Sequence, residues 1–239
     1  MISIGNFFFK YRNLLFPVFA STIFIPSPVI FTEGIFGPYY YLFPLVLGII
    51  IALSGQVILA ATIGLKYIKR GGKDKKVYAD TLVTQGIFEH CRNPLYVGNI
   101  MMLTGVGLIS NSLIFMVIVV PVFCFIYQAI VLAEENFLRS KFGGDYDLYC
   151  KRVNRWIPNV TGLSKTFGSM EFEWKRYLRK EYNTVYLLFL SIGIVLFTFV
   201  PPVVDLEKDE KIRYGLVYFF FFSIIYLLVK YLTKRKKSA

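Results

Sequence analysis

The chain has 239 residues, of which 56% are hydrophobic and only 18% are charged. Soluble domains have about 45–50% apolar and about 25% charged residues, so this composition excludes an ordinary soluble domain and predicts a membrane protein. The net charge of +12 would suggest a nucleic-acid partner only if the chain were soluble.

Six apolar runs predict membrane-spanning helices, because a spanning helix needs about 17–25 residues. The runs cover residues 14–31, 39–65, 95–109, 113–133, 184–204 and 214–232. The third run is the shortest and is therefore the weakest of the six predictions. The predicted fold class is an all-α polytopic membrane protein with about six transmembrane helices, a helical hairpin and cytoplasmic interfacial helices.

The basic residues are distributed very unevenly about these spans. With six spans, every lysine and arginine except Lys208, Lys211 and Arg213 falls on one side of the membrane. Such asymmetry marks the cytoplasmic side, so we expect an integral membrane protein with both termini in the cytoplasm. The basic side then faces anionic lipid headgroups, which makes membrane lipids the expected partners and argues against nucleic acid.

The middle of the chain predicts a hairpin followed by interfacial segments. A turn at residues 111–112 joins the third and fourth runs, and Pro121 should kink the fourth. Gly143 is a predicted helix end, followed by a short amphipathic helix, and residues 172–182 form a second interfacial stretch. A polar break at residues 71–76 gives the predicted division into 1–70, 71–160 and 161–239.

Polar residues flank the hairpin at its cytoplasmic end. Pro94 suits the first turn of a helix, so Asn93 should occupy the N-cap with Arg92 just before it. Glu134 and Glu135 follow the returning helix. Because a hairpin brings its two outer ends together, we expect these groups to share one pocket.

Four short motifs around this hairpin resemble those of the isoprenylcysteine carboxyl methyltransferases and the related phospholipid N-methyltransferases. The motifs are L-V-T-x-G at 82–86, R-x-P-x-Y-x-G at 92–98, E-E at 134–135 and F-G-x-x-Y-x-x-Y at 142–149. The resemblance covers residues 81–158, about a third of the chain. It implies a central catalytic hairpin core and an integral membrane enzyme that uses S-adenosylmethionine to methylate a lipophilic acceptor, either a lipid or a lipophilic small molecule.

The resemblance also implies roles for individual residues. The cofactor-binding residues carried over by position are Thr81, Leu82, Val83, Phe88, Asn93, Pro94, Leu95, Tyr96 and Glu134. Arg92 and Glu135 are the candidate catalytic residues, and His90 is an alternative base if the acceptor is an amine. No metal site is expected. Tyr146 and Tyr149 are expected to be interfacial anchors.

Two positions depart from the family pattern. Many members have histidine at the position of Asn93, and both residues offer polar contacts. The prenylcysteine enzymes carry an arginine four residues before the cofactor-binding glutamate, where it is taken to contact the substrate carboxylate. This chain has Ile130 there, which favours a lipid or small apolar acceptor over a prenylcysteine.

Two other functions stay open at this stage. Some membrane sterol reductases have a related hairpin region that binds NADPH, and extra basic residues in the pocket would favour that function. A transporter or scaffold would place polar residues in mid-membrane, and the spans offer few beyond Gln56, Ser54 and Gln128. The sequence leaves the oligomeric state open. The last two spans are hypothesised to cover a lipid entrance.

Overall fold

A computed structural model describes residues 1–65 and 78–235, and these residues form an all-helical fold. Four helices are long and apolar enough to cross a membrane. They are Leu42–Leu65, Phe115–Phe142, Trp174–Phe199 and Lys208–Thr233. The predicted all-α membrane fold is confirmed at this level. The predicted break at residues 71–76 lies outside the described residues, and the division into three segments stays a prediction.

The helices are labelled in chain order. They are α1 Ile2–Ser21, α2 Leu42–Leu65, α3 Pro94–Ile109, α4 Val120–Phe142, α5 Gly144–Arg152, α6 Leu163–Ser169, α7 Trp174–Phe199 and α8 Lys208–Arg235. Shorter elements are the 3₁₀ turns Thr22–Phe24 and Gly86–Glu89, the helical turns Glu33–Phe36 and Pro201–Val204, and the π-helical segment Phe115–Val119.

The structure corrects two predicted elements. The run at 14–31 is not one helix, because α1 starts at Ile2 and ends at Ser21, and Pro26 and Pro28 follow where a helix would have to continue. The interfacial stretch at 172–182 is largely the first part of α7, which runs unbroken to Phe199. Since α1 is not among the helices apolar enough to span and α3 has only 16 residues, six spans stay a prediction.

The hairpin appears where it was predicted. Asn111 forms the turn between α3 and α4 with a positive φ of 55°. The π-helical segment lies directly before Pro121, whose missing N–H disturbs the hydrogen bonds of the preceding turn. Gly143, with φ 53°, ends α4 as predicted and leads directly into α5.

Glycines allow α2 and α3 to pack backbone against backbone. A Cβ added to Gly98 would lie 2.7 Å from the carbonyl oxygen of Gly55, and one added to Gly105 would lie 2.4 Å from that of Gly48. Both distances are too short for a side chain, so these glycines serve helix packing.

The helix α1 lies antiparallel to α4. Its Gly5 meets Ala129 and Ala133, whereas Phe16 contacts Phe123 and Tyr127 further along, at ring-centre distances of 5.0 and 5.3 Å. On the other side of the fold α7 packs on α2 and α3, and α8 packs on α7. The hairpin core is therefore flanked by α1 and α7.

Candidate active site

One large cavity lies between α1, α3, α4, α7 and the segment that precedes α3. Its volume is about 1350 Å³. Every residue predicted for the site lines it. They are Thr81, Leu82, Val83, Phe88, Arg92, Asn93, Pro94, Leu95, Tyr96, Glu134 and Glu135. These residues therefore lie around one cavity, and their roles as site residues stay predictions.

The segment before α3 lines the cavity with three consecutive residues. Thr81, Leu82 and Val83 lie in irregular structure, and their backbone groups form no hydrogen bond with another residue in the described part of the chain. Leu82 anchors the segment by packing on the buried cluster of Tyr146 and Tyr149. Free backbone donors and acceptors that line a cavity are suited to hydrogen-bond a ligand.

The helix α3 starts where it was predicted to start. Asn93 is the N-cap and Pro94 the first helical residue. The Asn93 side chain does not cap the helix; its amide nitrogen donates a hydrogen bond of 3.1 Å to the carbonyl oxygen of Arg155. Arg92 likewise donates its backbone N–H to the carbonyl of Asn154, at 2.9 Å. The chain after α5 thus holds the entry to α3 in place.

Glu135 is buried between two arginines. Arg92 Nη2 donates to Oε1 at 3.0 Å, while Arg155 donates Nε to Oε1 at 3.0 Å and Nη2 to Oε2 at 2.8 Å. Arg92 Nη1 also donates to the carbonyl oxygens of Cys150 and Val153. The hydrogen bond to Glu135 raises the pKa of Arg155. We call Arg92, Glu135 and Arg155 the arginine cluster; it joins α3, α4 and the segment after α5.

Glu134 has different surroundings, although it is adjacent to Glu135 in the sequence. Its Oε1 accepts a hydrogen bond of 2.6 Å from the Tyr96 hydroxyl. The cation that acts on it electrostatically is Arg12 of α1, which lines the same cavity. No ion pair binds Glu134 within the described residues, so its carboxylate remains available to a cationic ligand.

Tyrosine side chains form one wall of the polar end. Tyr146 and Tyr149 are buried and line the cavity, so the expectation that they are interfacial anchors is wrong. They lie on the inner face of α5, which packs on the end of α4. Burial raises the pKa of Tyr149 and keeps its hydroxyl protonated, and this hydroxyl donates a 2.8 Å hydrogen bond to the Phe88 carbonyl.

The opposite end of the cavity is apolar and lies between α1 and α7. Phe16, Pro17 and Ala20 line it from α1, and Leu187 and Ile194 line it from α7. The side chains of Leu187 and Ile194 are also 57% and 43% exposed on the protein surface. This cleft therefore reaches the surface that the apolar helices present to a bilayer.

Two other residues singled out in the sequence lie outside the cavity lining. His90 is buried, hydrogen-bonds through its ring nitrogens to Asn159 and Thr166, and is not among the residues that line the cavity. These two hydrogen bonds indicate that His90 has a structural role. Ile130 is fully buried and also lies outside the cavity lining.

Sequence reasoning missed several residues of the site. Arg12 and Phe16 come from α1, which lies outside the motifs, and Arg155 was counted only among the basic residues of a long loop. Thr184 and Leu188 of α7 lie almost a hundred residues from the α3 motif. A charged residue close to an apolar run, as Arg12 is, was the one available signal.

The residues 43–145 match the family model of the phospholipid methyltransferases. This segment belongs to that family. The match contains α2, α3 and α4 and most of the predicted site. Together with the four long apolar helices, this match supports an integral membrane protein.

Two curated relatives match over shorter regions. The cobalt-zinc-cadmium resistance protein CzcN of Cupriavidus metallidurans is 29% identical over 118 residues, which are 49% of this chain and 54% of that protein. The nickel-cobalt-cadmium resistance protein NccN of Alcaligenes xylosoxydans xylosoxydans is 31% identical over 80 residues, 34% of this chain and 37% of that protein. The matches thus span about half or less of each relative. No solved structure matches the chain.

Proposed function

We propose that this protein transfers a methyl group from S-adenosylmethionine to a lipophilic acceptor that enters from the membrane. The observation that carries the proposal is the single cavity in which polar residues of the family segment meet an apolar cleft between α1 and α7. A water-soluble cationic donor and an apolar acceptor require a site with one polar and one apolar end. This cavity has both.

The size of the cavity supports two ligands. Pockets for one drug-sized ligand have volumes of roughly 300–1000 Å³. The volume here is about 1350 Å³. A cofactor at the polar end leaves room for part of an acceptor between Phe16 and Leu187. The acceptor class is therefore a molecule with an apolar chain, such as a lipid.

The residues at the polar end fit an S-adenosyl ligand. The backbone of Leu82 and Val83 offers the donors and acceptors that adenine needs, and the rings of Phe88 and Tyr96 offer apolar surface for packing. Glu134 provides a carboxylate for an ammonium group or a ribose hydroxyl. The remaining predicted contacts, from Thr81, Asn93, Pro94 and Leu95, line the same wall.

When bound, the cofactor supplies an electrophilic methyl group on its sulfonium sulfur. The contribution of the chain is to bind the two reactants in line and to exclude water between them. Such positioning can supply ~7–11 kcal/mol of the barrier in favourable cases. The arginine cluster supports it by fixing the starts and ends of the helices that form the polar wall.

The predicted catalytic roles of Arg92 and Glu135 are part of this proposal. For an amine acceptor, which must lose a proton, Glu135 is the predicted base. Both of its oxygens already accept hydrogen bonds from guanidinium groups, which favours a positioning role for Glu135 and Arg92. An acceptor that arrives without a proton to lose needs no base.

The uneven distribution of basic residues supports a cytosolic polar end and an acceptor drawn from the bilayer. The hypothesis about the last two spans is supported in part. Residues of α7 line the apolar end of the cavity, and α8 packs against α7.

The test is calorimetric titration of the detergent-purified protein with S-adenosylhomocysteine. We expect binding by the wild type and a loss of about 10- to 100-fold in Glu134→Gln, because a charge-assisted hydrogen bond contributes ~1.5–3 kcal/mol. Glu33→Gln is the matched control, since Glu33 is exposed and lies outside the cavity lining. Its affinity should equal that of the wild type.

NADPH is titrated in parallel as the competing ligand. Absence of S-adenosylhomocysteine binding, or displacement of it by NADPH, would contradict the proposal and favour the reductase. Equal affinity of the wild type and Glu134→Gln would leave a methyltransferase whose cofactor contact lies elsewhere in the cavity.

A further inference from the structure

A single arginine enters the cavity from outside the family segment. Arg12 lies in the middle of α1 and lines the cavity, as do Phe9 one turn before it and Phe16 one turn after it. These three residues follow the i, i+3, i+7 spacing of one helix face. The face of α1 that meets the cavity thus carries a cation between two aromatic residues.

The position of Arg12 is fixed by close helix packing. A Cβ on Gly5 would lie 2.0 Å from the Ala129 carbonyl oxygen, so the backbones of α1 and α4 touch there. Phe16 packs on Tyr127, and Tyr127 packs on Tyr96, whose hydroxyl binds Glu134. This sequence of contacts places the central part of α1 beside the Tyr96–Glu134 pair.

Arg12 differs from the other cation of the cavity lining in its partners. Arg92 is engaged by Glu135 and two backbone carbonyls. The guanidinium carbon of Arg12 lies 4.2 Å from the centre of the Phe9 ring, and no hydrogen bond or ion pair holds Arg12 within residues 1–65 and 78–235. Its five N–H donors are free for a ligand.

A half-buried cation that lines a cavity among apolar side chains is costly unless something compensates its charge. Glu134 compensates it only at a distance, through an electrostatic interaction without an ion pair. A ligand carboxylate is the group that fits, because the planar guanidinium binds carboxylates with two parallel hydrogen bonds. Glu134 and Arg12 then offer one anion and one cation in the lining of the same cavity.

We propose that Arg12 binds a ligand carboxylate at the polar end of this cavity. The proposal rests on the proposed function for the role of Glu134. The carboxylate has two sources with the same chemistry. It belongs either to the amino-acid end of the S-adenosyl ligand, whose ammonium group Glu134 would bind, or to the acceptor.

The first arm of the test compares S-adenosylhomocysteine with its decarboxylated analogue, which keeps the ammonium group. Calorimetry is performed on the wild type, Arg12→Gln and Arg12→Lys. If the carboxylate is that of the cofactor, the wild type binds S-adenosylhomocysteine about 10- to 100-fold more tightly than the analogue, and Arg12→Gln binds both equally. Arg12→Lys, which keeps the charge, should recover part of the preference.

The second arm compares palmitate with hexadecanol, which has the same chain length and no carboxylate. If the carboxylate is that of the acceptor, Arg12→Gln loses affinity for palmitate about 10-fold or more and binds hexadecanol as the wild type does. Lys10→Gln is the matched control in both arms, because Lys10 is exposed on the same helix and lies outside the cavity lining. Thermal unfolding of each variant checks that α1 remains folded.

The proposal is overturned if Arg12→Gln is folded and discriminates both ligand pairs as the wild type does. Failure of the proposed function has a different signature, since the wild type itself would then not bind S-adenosylhomocysteine. In that case the palmitate arm alone still decides whether Arg12 binds carboxylates.

Discussion

The arginine cluster and the region around Glu134 are formed by neighbouring residues and yet differ in how their charges are matched. In the cluster, both oxygens of Glu135 accept hydrogen bonds from two arginines. Beside it, Glu134 accepts one hydrogen bond from the Tyr96 hydroxyl and interacts electrostatically with Arg12, with which it forms no ion pair. A fully matched buried charge stabilises a particular structure, whereas an incompletely matched one is suited to bind a ligand. Adjacent carboxylates therefore have different expected uses.

The largest expected effect is on stability, from Glu135→Gln. The change leaves two buried or half-buried guanidinium groups without their anion, and removing one partner of a buried ion pair costs ~3–5 kcal/mol. Arg155 is 36% exposed, which places the expected loss at the low end, about 3 kcal/mol. The thermal unfolding midpoint in detergent measures it.

The same substitution at the preceding residue, Glu134→Gln, is the control for that measurement. It should leave the unfolding midpoint close to that of the wild type, since Glu134 forms no ion pair within the described residues. Equal destabilisation by the two variants would remove the distinction between the two carboxylates.

A smaller effect is expected from Gly5→Ala, which acts on the position of α1. The added Cβ would lie 2.0 Å from the backbone oxygen of Ala129, so α1 has to move away from α4. Overpacking of this kind costs ~1–3 kcal/mol. Because Arg12 moves with α1, calorimetry should show weaker binding of the ligand whose carboxylate Arg12 binds, either S-adenosylhomocysteine or palmitate, while the arginine cluster stays intact.

The matched control for this substitution is Gly34→Ala. No atom lies within 4 Å of a Cβ at Gly34. The control should therefore bind and unfold as the wild type does. Unchanged binding by a folded Gly5→Ala variant would show that the polar end of the cavity does not depend on the position of α1.

The smallest expected effect is that of Tyr96→Phe. The substitution removes the hydroxyl that donates to Glu134 and keeps the ring that lines the cavity. Loss of one such hydrogen bond costs about 1 kcal/mol, so affinity for S-adenosylhomocysteine should fall about 5-fold. Tyr177→Phe, which removes a hydroxyl bonded to Gln56 away from the cavity, is the control. A loss as large as that of Glu134→Gln would mean that Tyr96 itself contacts the ligand.

Local patterns in the sequence predicted the hairpin core well. The N-cap at Asn93, the first-turn Pro94, the turn at Asn111 and the helix end at Gly143 all depend on residue type and near neighbours, and all are present. Because a hairpin necessarily returns the chain to its starting side, the shared pocket of the α3 and α4 motifs also followed from the sequence.

The bounds of the outer helices were predicted less well, because hydropathy locates apolar residues and does not locate helix ends. The helix α1 contains Lys10 and Arg12, which the apolar run excluded, and α7 includes a polar first turn. An apolar run that starts after a charged residue cannot show that the helix begins before that residue.

The sequence by itself determined the membrane class, the helical hairpin and the residues of one wall of the site, since these depend on composition and on short-range spacing. Only the tertiary structure decided which charges meet. The pairing of Glu135 with Arg155, the burial of Tyr146 and the entry of Arg12 into the cavity join residues far apart in the chain. Such pairings depend on how α1, α5 and α7 pack around the hairpin, and no local pattern specifies that packing.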